Sequence, residues 1–482
     1  MSRFPSLRIT RDALTPLGAF AEAQAAFLSP DQHSVADLQA ALRAGNIGVV
    51  AHFYMDPELQ GVLTACDWPH IHISDSLVMA DRAVQMAQAG VQAICVAGVD
   101  FMSENVRAVL DAAGHSAVPV YRLSPAPIGC SLAEAAESQA YLAFLRQAQA
   151  TPNSLHVVYI NTSLRTKALS QALVPTITCT SSNVVHTILT AAHQVPEVQL
   201  WYGPDTYMGE NLRVVLRSLL ELSPRAFAQL YPQYTQTEVA GVLRRFHPFL
   251  QGNCIVHHLF GSQVVAQVRQ DYPQALLTAH LEVPGEMFAL AADAQRQGRG
   301  VVGSTSNILD FLTATVRRMI GQGAAAVQVV LGTEAGMITS IVRSLQAELR
   351  AAGSDLAVEI VFPVAAEAIA QSGDASLPVV PGPQGGEGCS LAGGCATCPF
   401  MKMNSLDALL QVAAAIERKD TGRLARLAVQ LDNALVSGQA VATLGAVPIL
   451  HMRHFQRCGS LPPELVADIA DRHLLAVAHG LP

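Results

Sequence analysis

The stretch GGCATCPFMKMNSL, Gly393 to Leu406, carries a C-x-x-C pair, Cys395 and Cys398. That spacing suits half of a zinc site, a redox couple or part of an iron-sulfur set. A four-cysteine zinc site takes two such pairs and the chain has one, which weakens the zinc reading. Cys66, Cys95, Cys179 and Cys458 stand in or beside apolar segments, the setting of small buried hydrophobes. Cys130 in APIGCSLAEAA and Cys254 in FLQGNCIVHH differ, because each follows a glycine-containing turn and has polar neighbours. With the C-terminal pair they divide the chain into long, similar intervals. Separate parts of the chain can then each deliver one thiolate to a shared cluster, although such dispersed cysteines satisfy no local motif.

The elements that must position these residues follow one pattern from about Asn46 onward: a short β-branched run, a polar or glycine-containing break, then an Ala/Leu-rich helical stretch. NIGVVAHFY, QAICVAGVDF, SLHVVYINTS, TITCTSSN, VQLWYGPD, NCIVHH, ALLTAHLE, GVVGSTSN, VQVVLGTE and VEIVFP are the runs. Continuous apolar strands between helices predict parallel sheets covered on both faces, hence an α/β fold. The strands end repeatedly in His, Asn, Ser, Thr, Asp or Glu, and ligands of parallel sheets sit outside strand carboxyl ends. More than ten strands in one sheet is improbable, so the chain divides into two or three βα units. Breaks are expected at Pro119 to Pro127, at the helical insert Ser223 to Pro248, and at the Gly/Pro stretch Leu377 to Ser390. The segment after Leu406 reads as helical throughout, a packing tail or dimer element.

At 482 residues, 50% hydrophobic and 14% charged, the chain has ample core material for more than one domain. Its balance of 30 basic against 38 acidic residues gives no footprint for nucleic acid or anionic lipid. No apolar run reaches the roughly 18 residues that span a bilayer. The first twenty residues lack a secretory signal pattern, and nine spread cysteines are no disulfide scaffold. A reducing cytoplasm is the expected location.

The motifs AHFYMDPELQ, ISDSLVMA, GVDFMSEN, IGCSLAEA, VVYINTS, CTSSN, WYGPDTYMG, CIVHHLFG, TAHLEVPGE, GSTSNIL, GTEAGMITS and CPFMKMNSL run in order from His52 to Leu406. In them the chain resembles the quinolinate synthase family, the iron-sulfur enzymes of NAD biosynthesis, and most of all the long plant form without its sulfur-transfer domain. The insert before Cys254 departs from the compact bacterial enzymes. Ala392 stands where some of them carry a further cysteine.

The resemblance implies three similar three-layer αβα domains with parallel sheets, arranged pseudo-threefold around a central site, with a helical C-terminal tail. The expected bounds are 1–120 completed by 377–415, then 121–250, 251–376, and the tail 416–482. It implies that Cys130, Cys254 and Cys398 hold a 4Fe-4S cluster; three thiolates leave one iron open to act as a Lewis acid. Cys395 is then a neighbour of the cluster. The implied reaction, a transferase step, condenses iminoaspartate with dihydroxyacetone phosphate to quinolinate, releasing phosphate and two waters. A functional link to L-aspartate oxidase or aspartate dehydrogenase follows, with the protein a monomer or homodimer.

The resemblance makes Tyr54, His257 and Glu282 the catalytic residues, with Glu282 a general base. It gives substrate binding to His52, Ser76, Tyr159, Asn161, Ser181, His257, Glu282 and Thr305. Read alone, His52 and Tyr54 are ordinary half-buried residues, and Ser181 and Ser182 serve equally as helix caps. Glu334, on a loop, reads as a solvated carboxylate and stays off the catalytic set. Two alternatives use the same cysteines: an iron-sulfur hydro-lyase acting on a small carboxylic acid, and a non-catalytic cluster-based sensor, for which the charge-poor surface offers no partner face.

Overall fold

A computed structural model describes residues 3–254, 256–363, 379–381, 387–390, 398 and 400–478. Ala392 and Cys395 lie outside these residues, as do the side chain of Cys389 and much of the 377–415 segment.

The chain is α/β, and three sheets each contain four parallel strands. The first runs Ile71–Ser74, Ile47–His52, Ala93–Ala97, Val120–Arg122 across the sheet. The second runs Phe246–Pro248, Gln199–Gly203, Ser154–Tyr159, Thr176–Cys179. The third runs Gly300–Gly303, Leu276–His280, Ala326–Gly332, Ala357–Val361, and then gains an antiparallel pair, Ser6–Ile9 and Leu14–Leu17, from the N-terminus. Numbered in chain order, the parallel strands of every sheet lie 2-1-3-4. Crossovers leave in opposite directions from strands 1 and 3, and a crevice opens outside their carboxyl ends. Each sheet thus has a topological reason to present residues just after its first and third strands.

The apolar runs behave as their composition requires. Ile47–His52, Ala93–Ala97, Ser154–Tyr159, Thr176–Cys179 and Leu276–His280 are buried at every position. Among the described residues one predicted strand is absent: NCIVHH leads into a turn at Val256 and a 3-10 helix, His257–Leu259. Only two apolar residues stand between polar neighbours there, too few to fill a strand buried on both faces. The stretch Ser223 to Pro248 is the crossover from strand 3 to strand 4 of the second sheet. Ser223 caps helix Pro224–Leu230 and a Thr235/Glu238 capping box opens helix Gln236–Arg244. Phe246–Pro248 closes the sheet.

Two compact units emerge. The first comprises 1–103, 117–129 and 255–429 and contains the first and third sheets; the second comprises 104–116, 130–254 and 430–482 and contains the second sheet. In the first unit Leu38, Leu42, Val49, Cys95 and Leu409 share one core, and Leu7, Leu331, Ile341 and Ile360 another. In the second unit helix Val441–Cys458 lies so close on helix Leu164–Leu173 that a Cβ on Gly445 would stand 2.3 Å from the Leu164 carbonyl oxygen. The C-terminal segment is helical, Leu406–Glu417, Thr421–Leu427, Val441–Cys458 and Pro463–Ala478, interrupted by a hairpin of Leu435–Val436 with Gln439–Ala440. Among the described residues no helix is long and apolar enough to cross a membrane.

Candidate active site

In the first unit the switch-point loops supply most of the predicted residues. Strand Ile47–His52 ends in His52, and two residues on the Tyr54 N–H donates to His52 Nδ1 at 3.1 Å. Strand Leu276–His280 ends in His280, and two residues on the Glu282 N–H donates to His280 Nδ1 at 3.3 Å. Both loops use one device: the terminal imidazole accepts the backbone N–H of residue i+2. An Nδ1 that accepts leaves the ring proton on Nε2 and the ring neutral. Desolvation by burial favours the same state, lowering the pKa of His52 and of His280 to about 4 against partial opposition from the Glu282 charge.

Glu282 is 3% exposed, and its carboxylate Oε2 lies 3.0 Å from His257 Nδ1. His257 is fully buried and stacks on His280 with ring centroids 5.0 Å apart. The Tyr54 ring meets that of His52 edge to face at 4.8 Å and stands 6.3 Å from His257. Its hydroxyl is 3.2 Å from Thr333 Oγ1, in the loop after strand 3 of the third sheet. A carboxylate beside an imidazole Nδ1 fixes the ring's orientation and places a proton donor and an acceptor side by side, an arrangement suited to proton transfer.

The next residue, Glu334, is buried, not solvated as a carboxylate on a loop is expected to be. It is 2% exposed and accepts the Cys398 backbone N–H at 2.6 Å. Burial pushes its pKa well up, against that hydrogen bond and the Lys402 charge, while Glu282 adds to the rise. A Cβ on Gly336 would stand 2.8 Å from the Phe53 carbonyl oxygen, so the Glu334 loop and the Tyr54 loop touch through backbone. Ser304 caps helix Thr305–Gly321 through a box with Asn307, which places Thr305 at the first turn. Ser76 holds the same place behind its cap, Asp75.

In the second unit, Tyr159 closes strand Ser154–Tyr159 and Asn161 follows two residues on, the counterparts of His52/Tyr54 and His280/Glu282. Ser181 follows the second strand, as Ser76 and Thr305 do in the other sheets. The cap of helix Val184–Gln194 is Asn183, whose Oδ1 accepts the Thr180 N–H at 2.8 Å. Asn183, not Ser181, holds the cap position of that helix.

The cysteines separate by environment. Burial pushes the thiols of Cys66 and Cys95 up to about 11 and about 12, and that of Cys179 well above its ordinary value. A thiolate, the form that binds metal, is costly there. Cys130, Cys254 and Cys398 are half-buried. In the second unit the Cys130 and Cys254 segments meet where Ser131 Oγ donates to the Asn253 carbonyl at 3.1 Å. Gly252 and Thr206 exchange two hydrogen bonds, of 3.0 Å and 2.7 Å, that hold the approach to Cys254. Cys66, half-buried as well, packs against the apolar core of the first unit, while Cys95 and Cys179 are wholly buried.

A family profile described as Quinolinate synthetase A protein matches residues 36–437. The chain is 51% identical over 97% of its length to a chloroplastic quinolinate synthase of Nicotiana tabacum and 52% identical over 97% to one of Arabidopsis thaliana. It spans about two thirds of those relatives, 67% of each. A quinolinate synthase of Rippkaea orientalis is 26% identical over 61% of the chain and 68% of that relative.

Proposed function

The chain belongs to the quinolinate synthetase A family, and from that premise we propose that it is a quinolinate synthase condensing iminoaspartate with dihydroxyacetone phosphate, releasing phosphate and two waters. The observation that carries the chemistry is the buried His257–Glu282 pair, 3.0 Å apart, stacked on a neutral His280. Enolisation, dehydration and ring closure each move a proton at carbon, nitrogen or oxygen. Glu282 takes the proton, His257 shares it through Nδ1, and the Tyr54 hydroxyl donates to oxygen as charge develops. His52, with its proton on Nε2, offers one fixed N–H. Hydroxyl and amide groups of Ser76, Tyr159, Asn161, Ser181 and Thr305 suit carboxylate and phosphate oxygens. The helix starts behind Ser76 and Thr305 add oriented N–H groups.

Cys130, Cys254 and Cys398 are the thiols that would hold a 4Fe-4S cluster, an assignment resting on family membership; all three are half-buried. Bound, it supplies an iron that the protein leaves open and that polarises a substrate oxygen. The protein works in a reducing compartment, the cytoplasm. Because iminoaspartate hydrolyses readily, an aspartate-oxidising enzyme such as L-aspartate oxidase or aspartate dehydrogenase must supply it.

The test is anaerobic turnover with both substrates, followed by detection of quinolinate and counting of iron and sulfide. Quinolinate formed in proportion to iron content is expected. An iron-loaded protein that makes none, or an iron-free protein that makes it at full rate, overturns the reading.

A further inference from the structure

We propose that Lys167 is a positioning residue for the Tyr159–Thr162 loop, holding Asn161 in its binding geometry from beneath; this rests on the substrate role given to Asn161 above. The three sheets share strand order, and in two of them the loop after strand 1 is fastened by a terminal histidine that accepts a backbone N–H. The second sheet ends that strand in Tyr159, which has no imidazole nitrogen to fasten the loop in this way. Lys167 takes over the task. Its ammonium donates to the Ile160 carbonyl at 3.1 Å and to the Thr162 carbonyl. Those two carbonyls bracket Asn161, so one cation fixes the backbone on both sides of the residue that faces substrate.

The placement is costly, and the cost points to geometry as its purpose. Lys167 is fully buried and stands in the first turn of helix Leu164–Leu173, where the helix dipole disfavours a cation. Burial lowers its pKa to about 7, and the charge of Glu104 opposes that fall. Glu104 is tied to the same place, because its carboxylate accepts the Leu164 N–H at 2.8 Å. Lysine, glutamate, helix start and strand end are thus one hydrogen-bonded assembly inside the second unit. A methionine of similar length would satisfy the packing but take the ammonium donor from both carbonyls, leaving the Ile160 carbonyl only the Thr162 N–H at 2.8 Å.

The test is a double-mutant cycle on the iron-loaded protein. KM, kcat and quinolinate affinity are measured for wild type, Lys167→Met, Asn161→Ala and the double variant, with iron content and thermal unfolding recorded beside them. Lys167→Met should weaken KM and quinolinate binding about tenfold or more while iron content holds. In the Asn161→Ala background the same change should cost little, because the residue it positions is gone. Lys167→Gln, which keeps one neutral donor, should fall between. Equal losses in both backgrounds, or wild-type KM in Lys167→Met, overturn the proposal. So does loss of fold or iron in both Lys167 variants, which marks a merely structural lysine. A wild-type protein that neither binds nor makes quinolinate sinks the functional reading instead, and that outcome is visible before any variant is made.

Discussion

At the scale of single residues, the Glu282–His257 pair and the cysteine split give the sharpest expectations. Glu282→Gln keeps the shape and hydrogen-bonding reach of the side chain and removes its basicity. Quinolinate formation in a single turnover should fall about 10²-fold or more, with iron content and substrate binding retained; near-normal product removes Glu282 from the role of base. Serine in place of Cys130, Cys254 or Cys398 should each prevent stable iron incorporation under anaerobic reconstitution. Serine in place of Cys95 or Cys179, in cores where burial already disfavours the thiolate, should leave iron unchanged. Full iron in a Cys398→Ser protein would refute the ligand set. Glu334 shows where sequence reading stops. Its burial depends on the Cys398 backbone and on Gly336 against Phe53, partners 64 and some 280 residues away in the chain, and no local pattern announces them.

At the scale of elements, legibility follows the range of the cause. The fully buried strands were visible because burial on both faces demands an unbroken apolar run, and the strand-end residues were visible because that run stops. The hairpin at Leu435–Ala440 was read as helix although Ser437 and Gly438, both at positive φ, give the two-residue turn that a right-twisted hairpin favours. His280 was legible as a strand end, but its bond to the Glu282 N–H was not, since alternation carries no information about a ring nitrogen's partner. The loop before Cys254 depends on a small residue for a reason only packing supplies: a Cβ on Gly252 would stand 2.3 Å from the Pro204 carbonyl oxygen. Gly252→Ala should displace the Cys254 segment, lower iron retention several-fold and cost about 1–3 kcal/mol of stability. Gly285→Ala, whose added methyl meets nothing within 4 Å, is the matching control. Equal iron in the two variants would show that the loop adapts and that Gly252 does not set the position of Cys254.

At the scale of the whole molecule, neutral buried imidazoles are built into both units. His52 and His280 in the first have pKa values lowered to about 4, and His156 in the second, bonded to the Tyr141 hydroxyl at 2.9 Å, to about 3, burial being the largest cause in each. The unfolded chain titrates these rings near 6.5. Below that pH the unfolded state binds protons that the folded state refuses, so each ring's contribution is complete above about pH 6.5 and is lost as pH falls toward 4 or 3. Each should tilt unfolding free energy by up to about 1.4 kcal/mol per pH unit within that window. The buried carboxyls Glu334, Asp56 and Asp100 are raised instead, and their contributions run the other way. Total slope therefore mixes opposed groups, and the informative quantity is a difference between proteins. Urea unfolding of wild type and His156→Asn at pH 7.5, 6.0 and 5.0 should show the variant less stable at pH 7.5, with the gap narrowing by roughly one proton's slope as pH drops. Parallel pH profiles for the two proteins would mean that the folded state takes up the His156 proton as readily as the unfolded chain, and that burial does not hold this ring neutral.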